Sequence, residues 1–219
     1  METKQIGIFV GIVALLLGGL YFVATMTQPG GQVDVPDGVE AAETEIEEED
    51  IVRGNTDANV VLTKYSDFQC PACRSAYPIV KAAVDELEDE VAFVYRHFPL
   101  PQFQHNRVAA AASEAAARQG AFWEMHDMIF DGQDQWSRSA DSHSIFIQYA
   151  EDLDLDIEQF VADMDDEDIH RKIERDRVTA EQKGVRATPT FTINGERIEN
   201  PGSYDNFISV LEDAIEENN

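Results

Sequence analysis

Hydrophobic and polar positions organise this chain into a recurring order of elements. Ala58 to Phe68, "ANVVLTKYSDF", alternates and is rich in Val, Thr and Tyr, which predicts a strand. Immediately beyond it, Val80, Val84 and Leu87 recur at helical spacing through "YPIVKAAVDELEDE", and Pro78 inside that pattern predicts a kink. Val91 to Leu100, "VAFVYRHFPL", predicts a second strand closed by Pro99 and Pro101. Strand, helix and strand within this length make the smallest unit for a parallel pair with a right-handed crossover.

A long helical stretch follows. An alanine-rich run, Val108 to Gln119, stops at Gly120, and "AFWEMHDMIF" stops at Asp131-Gly132. "SHSIFIQYAEDL" carries Ile145, Phe146, Tyr149 and Leu153 on one stripe. Asp156 with Gln159 reads as a capping box, and Ile169, Ile173 and Ala180 share a stripe in a helix that stops at Gly184. Four or five helices are therefore expected between strands. "TFTI", Asn194-Gly195 and "ERI" then predict a hairpin, because Asn-Gly suits a type I′ turn. Phe207, Val210, Leu211, Ala214 and Ile215 predict a final helix.

The first fifty residues read differently. Ile6 to Met26 carries no charge and is long enough to cross a hydrocarbon core, so residues 1–26 are expected to be an N-terminal membrane anchor. A cleaved signal peptide is the alternative, although its apolar region is usually only about 7 to 15 residues. Lys4 before the segment, and no Lys or Arg after it until Arg53, favours a cytoplasmic N-terminus with the rest outside, a single-pass protein of the cell membrane. Residues 27–50 hold nine acidic residues and no basic one, which predicts a disordered, self-repelling linker. Residues 51–219 are long enough for one domain with its own core. The formal net charge of the whole chain is −27, and nucleic acid, which needs a basic footprint, is a poor partner.

The chain has two cysteines, Cys70 and Cys73, and both stand where the first strand meets the first helix, with Pro71 and Ala72 between them. Pro71 suits the first helical position and Cys70 the N-cap. Thiols at i and i+3 of a helix start are close enough to form a disulfide, and the helix terminus favours a thiolate on the first. A disulfide closing so short a loop would be a feeble staple, so the spacing points to redox chemistry with Cys70 attacking and Cys73 resolving. That chemistry needs no cofactor. The competing metal site would need more ligands than two thiols and the scattered His97, His105, His126, His143 and His170 supply, with His97 the best placed.

"SDFQCPAC", Pro78 five residues after Cys73, "YRHFPL" and "GVRATPTFTING" before a hairpin and last helix together resemble the DsbA-like thiol-disulfide oxidoreductases of the thioredoxin superfamily, in their membrane-anchored form. The resemblance runs from about Val60 to the end. It implies an α/β thioredoxin fold (βαβ…ββα) with a helical insertion at about residues 103–184. It also implies that Thr188-Pro189 is a cis peptide packed on the cysteine pair, with the Thr188 backbone available to an extended substrate chain.

Function then follows as an expectation: an extracytoplasmic protein-disulfide oxidoreductase that donates disulfides to unfolded exported polypeptides. A separate redox partner, such as a quinone-linked membrane protein, would reset its cysteines. The alternatives are a reductase or isomerase of an envelope pathway and, from another class, a tethered metal-binding or adaptor module. One position departs from the family. Many relatives carry a buried acid six residues before the first cysteine, where this chain has Lys64. The strand's period places Lys64 with Val60, Leu62 and Ser66, which favours an inward side chain; outward, it would be an ordinary strand lysine.

Overall fold

The computed structural model describes residues 46–200 and 202–218. The expected membrane segment and most of the acidic linker lie outside them. No helix among the described residues is long and apolar enough to cross a membrane.

The strands are β1 (Val52–Gly54), β2 (Val60–Ser66), β3 (Val91–His97), β4 (Thr190–Ile193) and β5 (Glu196–Ile198), in one sheet of order β1-β3-β2-β4-β5. β2 is central, parallel to β3 and antiparallel to β4, which places Lys64 between Tyr95 and Phe191 in register. Helix α1 (Pro71–Glu86) makes the crossover and continues through Pro78, which costs one helical hydrogen bond without ending the helix. The hairpin turn has Asn194 at φ 48° and Gly195 at φ 78°, the left-handed pair that Asn-Gly was expected to supply.

Six helices separate β3 from β4: α2 (Asn106–Ala117), α3 (Phe122–Asp131), α4 (Gln133–Trp136), α5 (Ser142–Asp152), α6 (Ile157–Met164) and α7 (Glu167–Gln182). One more than anticipated is present because the single turn α4 follows Gly132 directly and is too short to show a period. The alanines of α2 are a packing face, buried where α2 meets α3 and α6; small side chains let the helices approach closely. Asp156 caps α6 by accepting from the Gln159 amide at 3.0 Å. The Gln159 side chain turns instead to Asp163, and Gln119 accepts from the Asp156 amide, so the capping box is half formed. The last helix, α8 (Tyr204–Asn218), buries Phe207, Leu211 and Ile215 in a core shared with Val60, Leu62 and Phe191 of the sheet and Val84 of α1. Among the described residues the architecture is a thioredoxin-like α/β fold with a helical insertion.

Two features at the start of the domain escaped the hydrophobic pattern. β1 is three residues long, too short for a period, and exists by pairing antiparallel with the outer edge of β3. Gly54 ends it at φ 90°, where a Cβ would lie 2.3 Å from the Val91 carbonyl oxygen. The expected linker also stops short of Asp50. Asp50 clamps the buried Arg96 guanidinium through Nε at 3.1 Å and Nη2 at 2.6 Å, and Glu47 adds a contact at 3.1 Å. A guanidinium buried on a strand needs a counter-charge, and the acidic run supplies it.

The insertion is tied to β3 by a buried charge cluster. His97 meets Glu114 at 2.8 Å, and Lys172 bridges Glu114 at 2.8 Å and Asp176 at 3.1 Å. His97 is thereby committed to α2, and no group of three or more His, Cys, Asp or Glu among the described residues is arranged to hold a metal.

Replacing Asp50 by Ala should leave Arg96 half-compensated and lower stability by about 2 to 3 kcal/mol, less than the roughly 3 to 5 expected when a buried pair loses its sole partner. Chemical denaturation of the variant against the parent measures this; an unchanged midpoint would show that the clamp contributes nothing.

Candidate active site

β2 delivers the chain to the start of α1, and the intervening loop is held from several sides. Asp67 accepts from the Gln69 amide, the Leu100 amide and the Asn106 side chain, each at 2.7 Å, joining this loop to the segment after β3 and to α2. Gln133 of α4 donates to the Phe68 carbonyl at 2.6 Å and the Cys70 carbonyl at 3.2 Å. Cys70 is the N-cap of α1 in an extended conformation, and Pro71 opens the helix. Pro71 and Ala72 are exposed, so a partner meets them first.

The two thiols, both free, have unlike surroundings. Cys70 is at the surface edge, 6% exposed, and Cys73 is sealed at 0%. The Cys70 thiol falls to about 5, chiefly because the Cys73 thiol donates to its sulfur, with Thr188 and the backbone amides of Cys73 and Ala72 adding to the effect against the cost of burial. Burial drives Cys73 the other way, well above its ordinary value, and its bond to Cys70 adds to that while Lys64 opposes it. These surroundings suit Cys70 to act as nucleophile and leaving group and Cys73 to stay protonated.

The Thr188–Pro189 peptide is cis, and the Thr188 carbonyl lies 3.6 Å from the Cys70 sulfur. Thr188 and Pro189 are half-buried, and the Thr188 hydroxyl faces the Cys70 sulfur, whose thiolate it stabilises. Lys64 points inward and is 1% exposed. Its Nζ lies 4.7 Å from the Phe130 ring centre and 5.9 Å from that of Tyr95, so aromatic faces hold the cation. Burial lowers Lys64 to about 8, opposed by Cys73, Cys70 and Asp127. The sequence reading missed Asp67, Gln133 and the buried His126. Asp67 carried a signal, an Asx-turn residue two before Gln69; Gln133 and His126 sit on the insertion, where nothing local links them to the thiols.

A family model described as Thioredoxin matches residues 46–213. This chain belongs to that thioredoxin family. The Na(+)/H(+) antiporter NhaA of Herminiimonas arsenicoxydans is 38% identical over 207 residues, which is 93% of this chain and 31% of that protein. The chain thus spans under a third of that relative's length. Among solved structures, oxidised BdbD from Bacillus subtilis superposes with a TM-score of 0.67 at 23% identity, covering 75% of this chain and 92% of that one. The thiol-disulfide exchange protein alpha-DsbA2 from Wolbachia pipientis gives 0.65 at 15% identity, over 80% of this chain and 89% of that one. At these identities the superpositions show the fold alone.

Alkylation of Cys70 in the reduced protein should rise with pH through a midpoint near 5. Thr188→Val removes a group that stabilises the thiolate and should move that midpoint upward. A midpoint in the ordinary thiol range for the parent would contradict the geometry.

Proposed function

We propose that this chain is a thiol-disulfide oxidoreductase that donates its Cys70–Cys73 disulfide to unfolded, exported polypeptides outside the cytoplasm. The observation that carries this reading is the asymmetry of the pair: Cys70 caps the helix at the surface edge with its thiol lowered, and Cys73 is sealed beneath it with its thiol raised. A substrate thiolate attacks the Cys70 sulfur, the Cys70–Cys73 bond breaks, and Cys73 takes the electron pair and then a proton. The substrate's second thiolate attacks the mixed disulfide, and Cys70 departs as a thiolate. The substrate loses two electrons and the pair gains them, so an external oxidant must reset the cysteines.

Direction follows from the same asymmetry. A thiol that titrates near 5 rather than 9 stabilises the reduced protein at pH 7. The gain is roughly 2 to 3 kcal/mol, on the order of 60 mV toward a more oxidising disulfide. The gain is full only above the ordinary thiol value of 9, shrinks as pH falls from there toward 5, and is gone below the folded value. Lys64 beside Cys73 acts in the same sense, because a cation favours the thiolate. Reduction or isomerisation uses the same two sulfurs in reverse and is the second reading; the Cys70 value favours donation.

Extended polypeptide is the substrate class best matched to the surface. A groove of ≈540 Å³ beside the cysteine loop is lined by Gln69, Pro71, Arg74, Phe103 and Arg138, within the roughly 300 to 1,000 Å³ usual for binding clefts. Another, of ≈460 Å³, runs along Pro189, Thr190 and Phe191. Backbone recognition along the Thr188 segment needs little side-chain selectivity. We assign the uncharged Ile6–Met26 segment to a single membrane span with a cytoplasmic N-terminus, and the acidic residues after it to a tether that keeps the domain near a membrane-bound redox partner, with a quinone-linked protein the chemical class that fits. Transport is not carried over from the antiporter relative, of which this chain matches under a third.

With Cys73→Ala, Cys70 should accumulate mixed disulfides with exported polypeptides, and Cys70→Ala should accumulate none. The oxidised parent should oxidise a reduced, unfolded test protein faster than glutathione disulfide does. Failure to remove thiols from that protein would sink the donor reading, and failure to trap any adduct would sink thiol exchange altogether.

A further inference from the structure

Ion pairing accounts for almost every cation among the described residues. Of the Arg and Lys side chains there, Lys64, Lys183, Arg186 and Arg197 form no salt bridge, and the rest do. Lys64 is buried among aromatic rings, and Lys183 sits toward the Arg96 clamp, within the field of Glu47 and Asp50. Arg186 and Arg197 remain. Both are exposed, and they bracket Thr188–Pro189 in the sequence. In a chain of net charge −27, surface guanidiniums without a carboxylate mark a place where the excess negative charge has been kept away.

Both arginines stand by the cis peptide. Arg197 of β5 pairs in register with Thr192 of β4 and lines the ≈460 Å³ groove with Pro189 and Thr190. Arg186 is two residues before Thr188, whose carbonyl lies 3.6 Å from the Cys70 sulfur. The Arg186 Nη1 donates to the Glu181 carbonyl at 2.6 Å and the Val185 carbonyl at 2.7 Å, which fixes the guanidinium and leaves Nε and Nη2 unengaged among the described residues. The Glu181 side chain is taken by Arg177, and Glu199, which lines the Arg197 groove, forms no salt bridge with either arginine.

The groove beside the cysteine loop repeats the imbalance. Arg74, one turn after Cys70, and Arg138 share a single carboxylate, that of Asp134, which Arg138 meets at 3.2 Å. Guanidiniums therefore outnumber carboxylates at both places: Arg74 and Arg138 against Asp134 at the loop, Arg186 and Arg197 against Glu199 along the Thr188 segment. A guanidinium fork matches a carboxylate through two parallel hydrogen bonds.

We propose that the substrate segment is acidic: an extended polypeptide with Asp or Glu on either side of its reacting cysteine, whose carboxylates meet Arg186 and Arg197 on one side and the Arg74–Arg138 pair on the other. This deepens the thiol-exchange reading and rests on it. Backbone recognition at Thr188 sets where the chain runs, and the arginines add what it must carry. A chain of net charge −27 repels an acidic partner. Cations at the point of attack offset that repulsion within a Debye length, about 8 Å at physiological salt. Carboxylates beside a cysteine also disfavour its thiolate, the attacking form, and arginines facing those carboxylates reverse the effect.

The test mixes the oxidised full chain with reduced dithiol peptides that differ only in the residues flanking the first cysteine, which are Glu, Gln or Lys. Each rate is divided by that of the same peptide with uncharged hydroxyethyl disulfide, which removes the intrinsic reactivity of the thiol. The parent should favour the Glu peptide over the Gln peptide about ten-fold, and the Gln over the Lys peptide, with both preferences shrinking as salt rises. Arg186→Gln combined with Arg197→Gln should cut the Glu-to-Gln ratio to about two-fold, and Arg186→Lys with Arg197→Lys should keep it above that. Equal normalised rates for the three peptides would overturn the inference, and so would a double Gln variant that keeps the parent ratio. A Gln-peptide rate that rises with salt would put the chain's own acidic residues before Ile46 on the arginines and overturn it too. A parent that oxidises none of the peptides would instead defeat thiol exchange, and the acidic preference with it.

Discussion

The constraint on which the site depends is that two thiols one helical turn apart must live in different media. Cys70 caps the amino end of α1, where backbone amides and a neighbouring thiol stabilise negative charge, whereas Cys73 faces an interior where a thiolate is costly. One turn of helix suffices because the N-cap projects outward and the third helical residue projects under the helix. Everything else at the site maintains or tunes that difference. Lys64, a buried cation on the central strand of the sheet, opposes the rise that burial and the bond to Cys70 give Cys73.

Holding the difference requires rigidity from parts of the chain far apart in sequence. Asp67 gathers amides from the cysteine loop and from the segment after β3, and Gln133 pins the carbonyls on either side of the cysteine loop. Phe130 and His126 of α3 close the space over Lys64, so the insertion forms one wall of the thiol site. The His97–Glu114–Lys172–Asp176 cluster in turn fixes the insertion on β3. Asp50 on Arg96 extends the same logic to the start of the domain, with carboxylates from the acidic run neutralising a buried guanidinium.

Local pattern made much of this legible. Strands β2 and β3, the hairpin, the last helix and the larger helices of the insertion each carry enough residues for a period or a turn signal, and Cys70 with Pro71 marks its own helix start. The inward face of Lys64 was readable from strand alternation. Elements shorter than a period were not: β1 depends on its partner strand, and α4 on the turn before it. Interactions made across the fold were also hidden. Nothing adjacent to His126 in sequence distinguishes it from a surface histidine, and its burial follows from where α3 lands on β2 and α1. The pairing of Asp50 with Arg96 is invisible for the same reason, since charge composition alone assigned Asp50 to solvent.

The most direct test is the reduction potential of the Cys70–Cys73 pair, obtained by equilibrating the protein with glutathione redox buffers. A stabilised Cys70 thiolate over a Lys64 cation predicts a value toward the oxidising end of the thioredoxin-fold range, nearer about −120 mV than about −270 mV. A value near −270 mV would contradict the account, because the reduced form would then lack the stabilisation that the asymmetry of the two thiols is held to provide.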